Sequence, residues 1–219
     1  MNVLGIDAAL GSFSAAVARS GELAALREEP GTIALEAGLG IVDAVLVRSS
    51  LEGPSLDRIA VGIGPGGFTG LRIALSYAKA LALGWGLPLV GISSFDLLEW
   101  TVPTGPLLTV VVGRKGVISA RYRGADRQER ASGLTAEVLD AVLPKKGSEP
   151  LRVLGAAEDV LDALAERGYT VTTLASPFVP AAAAALAGGL RAPAASLHEV
   201  RADYGERPAA HVPTFSVRA

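Results

Sequence analysis

Gly64-Pro65-Gly66-Gly67-Phe68-Thr69-Gly70-Leu71-Arg72-Ile73-Ala74 is the stretch on which the reading of the fold turns. It follows an apolar run, Ile59–Ile63, that reads as a strand, and it opens a helical pattern expected over Leu71–Leu83. Glycines between a strand and a helix permit positive φ and close backbone approach. The free amides at the helix N-terminus form a site that favours anions. Gly64, Gly66, Gly67 and Gly70 would shape such a site, Thr69 would cap the helix, and Arg72 in the first turn would reach an anion or a partner carboxylate. The stretch has no Gly-Lys-Ser/Thr triplet of a Walker loop, and its spacing is not that of a dinucleotide fingerprint. The residues alone leave two readings open: contact with a phosphate or nucleotide, or a tight turn that lets the helix pack closely.

Working outward, strands are expected at Leu4–Asp7, Ser14–Ala18 and Leu23–Arg27, then a helix over Ile33–Arg48. After the glycine-rich stretch come a strand at Leu87–Ile92 and a helix opened by Ser93, with Asp96 three residues on as in a capping box. Beyond Pro103-Thr104-Gly105-Pro106 the order recurs. Strands are expected at Leu107–Val112, Val117–Tyr122 and Arg127–Ala131, the first two joined by a turn at Arg114-Lys115-Gly116. Helix Ala136–Val142, strand Leu151–Leu154, helix Glu158–Arg167, strand Tyr169–Leu174 and an alanine-rich helix near Pro180–Ala187 follow, with a polar loop over Pro144–Pro150. Three strands followed by alternating helix and strand, twice, imply an α/β fold with mixed sheets in two lobes, residues 1–103 and 104–219.

Composition narrows the function classes. The chain has 219 residues, 50% of them apolar and 19% charged. Its mean hydropathy of +0.40 is high for a protein without a membrane segment. No run approaches the roughly 20 nearly uncharged apolar residues of a spanning helix: Val179–Leu190 is too short, and Leu71–Phe95 is broken by Arg72, Lys79 and Pro88. No basic leader precedes the first strand, so a cytoplasmic location is expected. The absence of cysteine excludes disulfides, thiolate catalysis and cysteine-bound zinc. A net charge of −2 does not favour independent nucleic-acid binding, although residues 1–103 carry −4 and the remainder +2.

The surplus apolar content needs a destination, and two helices suggest one. Leu71–Leu83 is polar only at Arg72, Ser76 and Lys79, and Ile33–Arg48 only at Glu36, Asp43 and Arg48. All-round apolarity implies burial on more than one side. Leu39, Val42 and Leu46 on the first helix and Ile73, Leu75, Tyr77, Ala80 and Leu81 on the second are expected at a subunit interface, with burial inside the lobe's own core as the competing reading.

The glycine-rich stretch closely resembles the signature of the TsaB (YeaZ) family, which usually reads Gly-Pro-Gly-Ser-Phe-Thr-Gly-Leu/Val-Arg-Ile-Gly. Leu4-Gly5-Ile6-Asp7 resembles the family's opening strand and aspartate, and Gly91-Ile92-Ser93-Ser94 resembles its Gly-Val-Ser-Ser/Thr segment. The resemblance implies an actin-like (ASKHA) fold of two related lobes. It also implies a non-catalytic scaffold that pairs with the paralogous TsaD, the enzyme that makes threonylcarbamoyladenosine next to the tRNA anticodon, and assembles with the ATPase TsaE. Family members pair through first-lobe helices, as a homodimer when alone. In this reading tRNA is met only through the complex, and ATP only at the level of the complex.

Departures from the pattern bear on the chemistry. Ala8-Ala9 stands where the family has Thr-Ser, and Gly113-Arg114-Lys115 where it has Asp-Ala-Arg. The terminal Pro-x-Tyr-x-Arg is only echoed by Pro213–Arg218. Asp7 is the best carboxylate for magnesium or water, against a structural reading as a turn aspartate bonding the amides of Gly11 or Ser12. The alternative activity is that of a small ATP-dependent phosphotransferase using Asp7 and the glycine loop. Arg114, Lys115, Arg121 and Arg123 lie in a basic hairpin region that suits RNA or an acidic partner, or a solvated face. His198 and His211 are the only histidines, and no metal site is expected.

Overall fold

The computed structural model describes residues 1–30, 37–144 and 150–205. The start of the expected first helix, most of the 144–150 loop, His211 and the Pro213–Arg218 echo lie outside the described residues.

The first sheet contains β1 (Asn2–Asp7), β2 (Ser12–Arg19), β3 (Glu22–Pro30), β4 (Arg58–Gly62) and β5 (Leu89–Ile92), in the order β3-β2-β1-β4-β5. The second contains β6 (Leu107–Arg114), β7 (Val117–Arg123), β8 (Gln128–Leu134), β9 (Leu151–Leu154) and β10 (Val171–Leu174), in the order β10-β9-β6-β7-β8. Read from β8, the second sheet repeats the first strand for strand. In each, the first three strands form an antiparallel meander and the last two join parallel to the first. The expected repeat of element order is thus a repeat of topology, and the mixed sheets are as expected.

Helices α1 (Gly38–Arg48) and α2 (Phe68–Trp85) cover one face of the first sheet. Leu4, Ile6, Val17, Ile59 and Val61 from the strands meet Ile41, Val45, Ala74 and Ala78 from the helices in one core. In the second lobe α4 (Thr135–Val142) and α5 (Glu158–Glu166) do the same over Leu108, Val110, Ile118 and Ala120. Helix α2 starts earlier than its apolar pattern indicated. Gly67 is the extended residue before the first turn, so Thr69 sits inside the helix and does not cap it. Ser93 does cap α3 (Ser94–Leu98), its Oγ accepting from the Asp96 amide at 3.2 Å.

The alanine-rich helix α6 (Pro180–Gly188) belongs physically to the first lobe, although it lies in the second half of the chain. It packs on the other face of the first sheet, against β1, β2 and β4. Gly5 makes this possible: a Cβ there would collide with the backbone of Ala181 and Ala185, so the helix rides directly on the strand. The Ala181 amide donates to the buried Ser14 Oγ at 3.3 Å. The linear division at residues 103/104 therefore separates the two sheets but not the two packed units. Ala181–Ala185 and Ala187 are all buried, so part of the high hydropathy has its destination inside this chain. Among the described residues, no helix is long and apolar enough to cross a membrane.

Candidate functional site

The Gly64–Ala74 stretch folds as a tight junction. The Gly64–Pro65 peptide is cis, and Gly64 takes φ +95°, a conformation that disfavours any side chain. The Gly67 amide donates to the Ala9 carbonyl at 2.8 Å, and the Ser94 amide donates to the Gly64 carbonyl at 2.7 Å. A Cβ at Gly66 would meet the Ala9 carbonyl, and one at Gly70 the Ala8 carbonyl. The glycines are thus spent on bringing the start of α2 against the β1–β2 turn. The close packing that glycines at these positions permit is realised. Exposed Thr69 stands in the first turn, and Arg72 lies over the Phe68 ring, 4.9 Å from its centroid, with no anion partner among the described residues.

Asp7 ends β1 but points away from solvent and is fully buried. Its Oδ1 accepts from the amides of Ala9 at 3.1 Å and Leu10 at 3.3 Å, two residues earlier in the turn than the Gly11 and Ser12 amides expected of it. Oδ2 has no hydrogen-bond partner and faces Gly62, where a Cβ would strike it. Burial pushes the Asp7 carboxyl up to about 7, and the two amide hydrogen bonds offset this only in part. A carboxylate so enclosed does not line the cleft between the lobes. Among the described residues no group of three or more His, Asp or Glu side chains stands ready to hold a metal ion.

The cleft between the lobes has a volume of about 370 Å³ and is walled by Ala9, Leu10, Leu98 and Val110–Val112. Glycines 11, 67, 113 and 155 complete it, so its lining offers no charged side chain. Ala9, one of the two alanines that stand in place of hydroxyl residues, forms part of this wall.

The interface residues divide cleanly. Val42, Leu46 and Leu75 are buried in the first lobe's own core, which explains much of the all-round apolarity of the helices. Leu39 is 50% exposed, Ala80 is exposed, and Ile73, Tyr77 and Leu81 are half-buried. Ile73, Tyr77, Ala80 and Leu81 follow helical spacing and share one face of α2. Gly38 of α1 packs against the rings of Tyr77 and Phe13, which sets Leu39 beside that face. Val47 and Leu83, 69% and 76% exposed, were not singled out by sequence because both sit in apolar runs that look like core.

The basic hairpin is also divided. Arg114 and Lys115 are exposed at the β6–β7 turn. Arg121 and Arg123 lie further along β7 and point at α3. Arg121 donates to Asp96 at 2.7 Å and to Glu99 at 3.1 Å, and Thr109 Oγ1 donates to Glu99 at 2.6 Å. These carboxylates, and Arg191 against Asp96 at 3.0 Å, were missed in sequence because the partners lie far apart in the chain.

The family model described as TsaD, tRNA N6-adenosine threonylcarbamoyltransferase, matches residues 35–172. An uncharacterized protein of Mycobacterium tuberculosis is 33% identical over 123 residues, 55% of this chain and 58% of its own length. The Escherichia coli tRNA threonylcarbamoyladenosine biosynthesis protein TsaB is 35% identical over 94 residues, 43% of this chain and 41% of that one. The chain thus spans less than two thirds of the curated relatives it matches. The structure of YeaZ from Pseudomonas aeruginosa superposes with a TM-score of 0.72 at 19% identity, covering 93% of this chain and 99% of that one. This likeness shows the fold, an actin-like pair of lobes.

Proposed function

Since the chain belongs to the TsaB (YeaZ) family, we propose that it is a non-catalytic, activating subunit of the machinery that makes threonylcarbamoyladenosine next to the tRNA anticodon, pairing with the paralogous TsaD. The observation that carries this reading is the half-exposed apolar face formed by Leu39, Ile73, Tyr77, Ala80 and Leu81. It lies on rigid helices, and a second surface laid on it removes apolar area from water. The same face would serve a second copy when TsaD is absent. TsaE joins through the complex, and tRNA and ATP are met at that level. A cytoplasmic place follows from that role.

The alternative, an ATP-dependent phosphotransferase, finds little support in the geometry. Such chemistry needs a carboxylate facing the phosphates, and Asp7 is turned into the core with Oδ1 committed to backbone amides. The cleft wall contains no charged side chain to meet a nucleotide phosphate. Calorimetry of the isolated chain with ATP and magnesium separates the two readings: the scaffold reading expects no tight binding and no turnover. Co-purification with TsaD, with Leu39→Asp and Ala80→Asp as exposed-face variants, tests the pairing directly.

A further inference from the structure

The two lobes differ on the inner faces of their sheets, and the difference leaves a charged cavity. In the first lobe that face is apolar and covered by the nine-residue α6. In the second lobe the corresponding cover is α3, only five residues long. The register places Arg123 opposite Leu107 and Gln128, and Arg121 opposite Thr109 and Arg130, so these side chains share the inner face. Where α3 ends, a pocket of about 380 Å³ remains, lined by Arg121, Arg123, Arg191, Asp96, Glu99 and Trp100, with Gln128 and Thr101 at its edge. Thr101 holds φ +63°, an uncommon conformation for a β-branched residue.

The charges in this pocket do not balance. Three guanidinium groups face two carboxylates. Asp96 is used on both oxygens, by Arg121 at 2.7 Å and Arg191 at 3.0 Å. Burial pushes its carboxyl up, but the two arginines outweigh that and hold it below the usual range. Glu99 Oε1 is taken by Thr109 and Arg121, and its Oε2 stands 3.5 Å from Arg123 Nη1. Arg123 Nε and Nη2 are shielded from water and have no hydrogen-bond partner. Arg191 is 38% exposed and commits one side-chain nitrogen to Asp96. One positive charge is therefore in surplus, and the unsatisfied Nε–Nη2 edge of Arg123 lies buried behind the pocket wall. Two parallel N–H donors match the two oxygens of one carboxylate. A small rotation of the Arg123 guanidinium into the pocket would present that edge. The flanking Asp96 and Glu99 penalise a dianion more than a monoanion.

We propose that this pocket binds a small monoanionic carboxylic acid between Arg123 and Arg191, with the Trp100 indole as its apolar wall. The site is separate from the cleft at Ala9–Gly11 and from the α1–α2 face, and stands or falls independently of the pairing proposed above.

The test follows the arginine Nε–Hε signals by NMR while the full chain is titrated with acetate at constant ionic strength. The Arg123 and Arg191 signals should shift and saturate. Arg123→Gln and Arg191→Gln should each weaken binding by about tenfold or more, Arg123→Lys should weaken it while keeping the charge, and Arg114→Gln, at the hairpin tip, should leave it unchanged. Inorganic phosphate should bind more weakly than acetate. Absence of a saturable shift at Arg123, equal binding by Arg123→Gln, or phosphate binding as tight as acetate would each overturn the proposal.

Discussion

The Ala9 carbonyl accepts a hydrogen bond from the Gly67 amide at 2.8 Å, and this contact fixes what the glycine-rich stretch does. It closes the start of α2 onto the β1–β2 turn, at a separation that only glycine permits at positions 66 and 70.

Gly66→Ala and Gly70→Ala should therefore each cost about 1–3 kcal/mol, because a methyl group at either site meets a main-chain carbonyl that cannot retreat without moving β1. Gly67 is different: a Cβ there stands 3.7 Å from the nearest atom, so Gly67→Ser should change stability by no more than about 0.5 kcal/mol. Urea denaturation of the three variants checks the contrast. Equal effects at all three positions would contradict the close-packing account.

Asp7 makes stability depend on pH. Its folded value is about 7 against an ordinary 3.8, so the native chain keeps a proton that the unfolded chain releases. The folded state then binds more protons than the unfolded one over that interval, and stability falls as pH rises through it. The contribution is fully present below about pH 4 and lost above about pH 7, an effect on the order of 4 kcal/mol. Asp7→Asn keeps an oxygen for the Ala9 and Leu10 amides and cannot ionise. Its stability should vary much less between about pH 4 and about pH 7 than that of the parent, measured by denaturant unfolding. A parallel pH profile in the two proteins would show that Asp7 is not the titrating group.

Glu99 ties the lobes together. It is buried, and it accepts from Thr109 on β6 and Arg121 on β7 while belonging to the end of α3. Glu99→Ala leaves Arg121 partly uncompensated and Thr109 Oγ1 without its acceptor, and should cost about 3 kcal/mol. Arg27→Ala removes an exposed pair with Glu29 and should cost no more than about 1 kcal/mol. Thermal and urea unfolding measure both.

Much of this architecture was legible in the chain. The repeated order of strands and helices came through because the central strands β1, β4, β6 and β9 are short apolar runs bounded by glycine, proline or polar turns. The capping role of Ser93 came through because it depends on residues three apart. Three features did not. Whether Val42 and Leu46 face the core or a partner depends on where β2 and β3 lie, and an apolar helix pattern contains no such information. The seat of α6 on the first sheet depends on Gly5, about 180 residues earlier in the chain, lacking a side chain. The Arg121–Glu99–Asp96 cluster joins a strand of one lobe to a helix of the other, and nothing local in the basic hairpin marks its partners.

The central claim is that the half-exposed α1–α2 face pairs with TsaD. Ala80→Asp places a charge on that face at an exposed position and should leave the fold intact, whereas Leu75→Asp would bury a charge in the core and unfold the lobe. The most direct measurement is threonylcarbamoylation of tRNA reconstituted with TsaD and TsaE, with no added chain, with the parent chain, and with Ala80→Asp. The account predicts modification that requires the parent chain and falls by about tenfold or more with folded Ala80→Asp, together with loss of TsaD co-purification. Full modification without the chain, or unchanged modification and co-purification with Ala80→Asp, would contradict it.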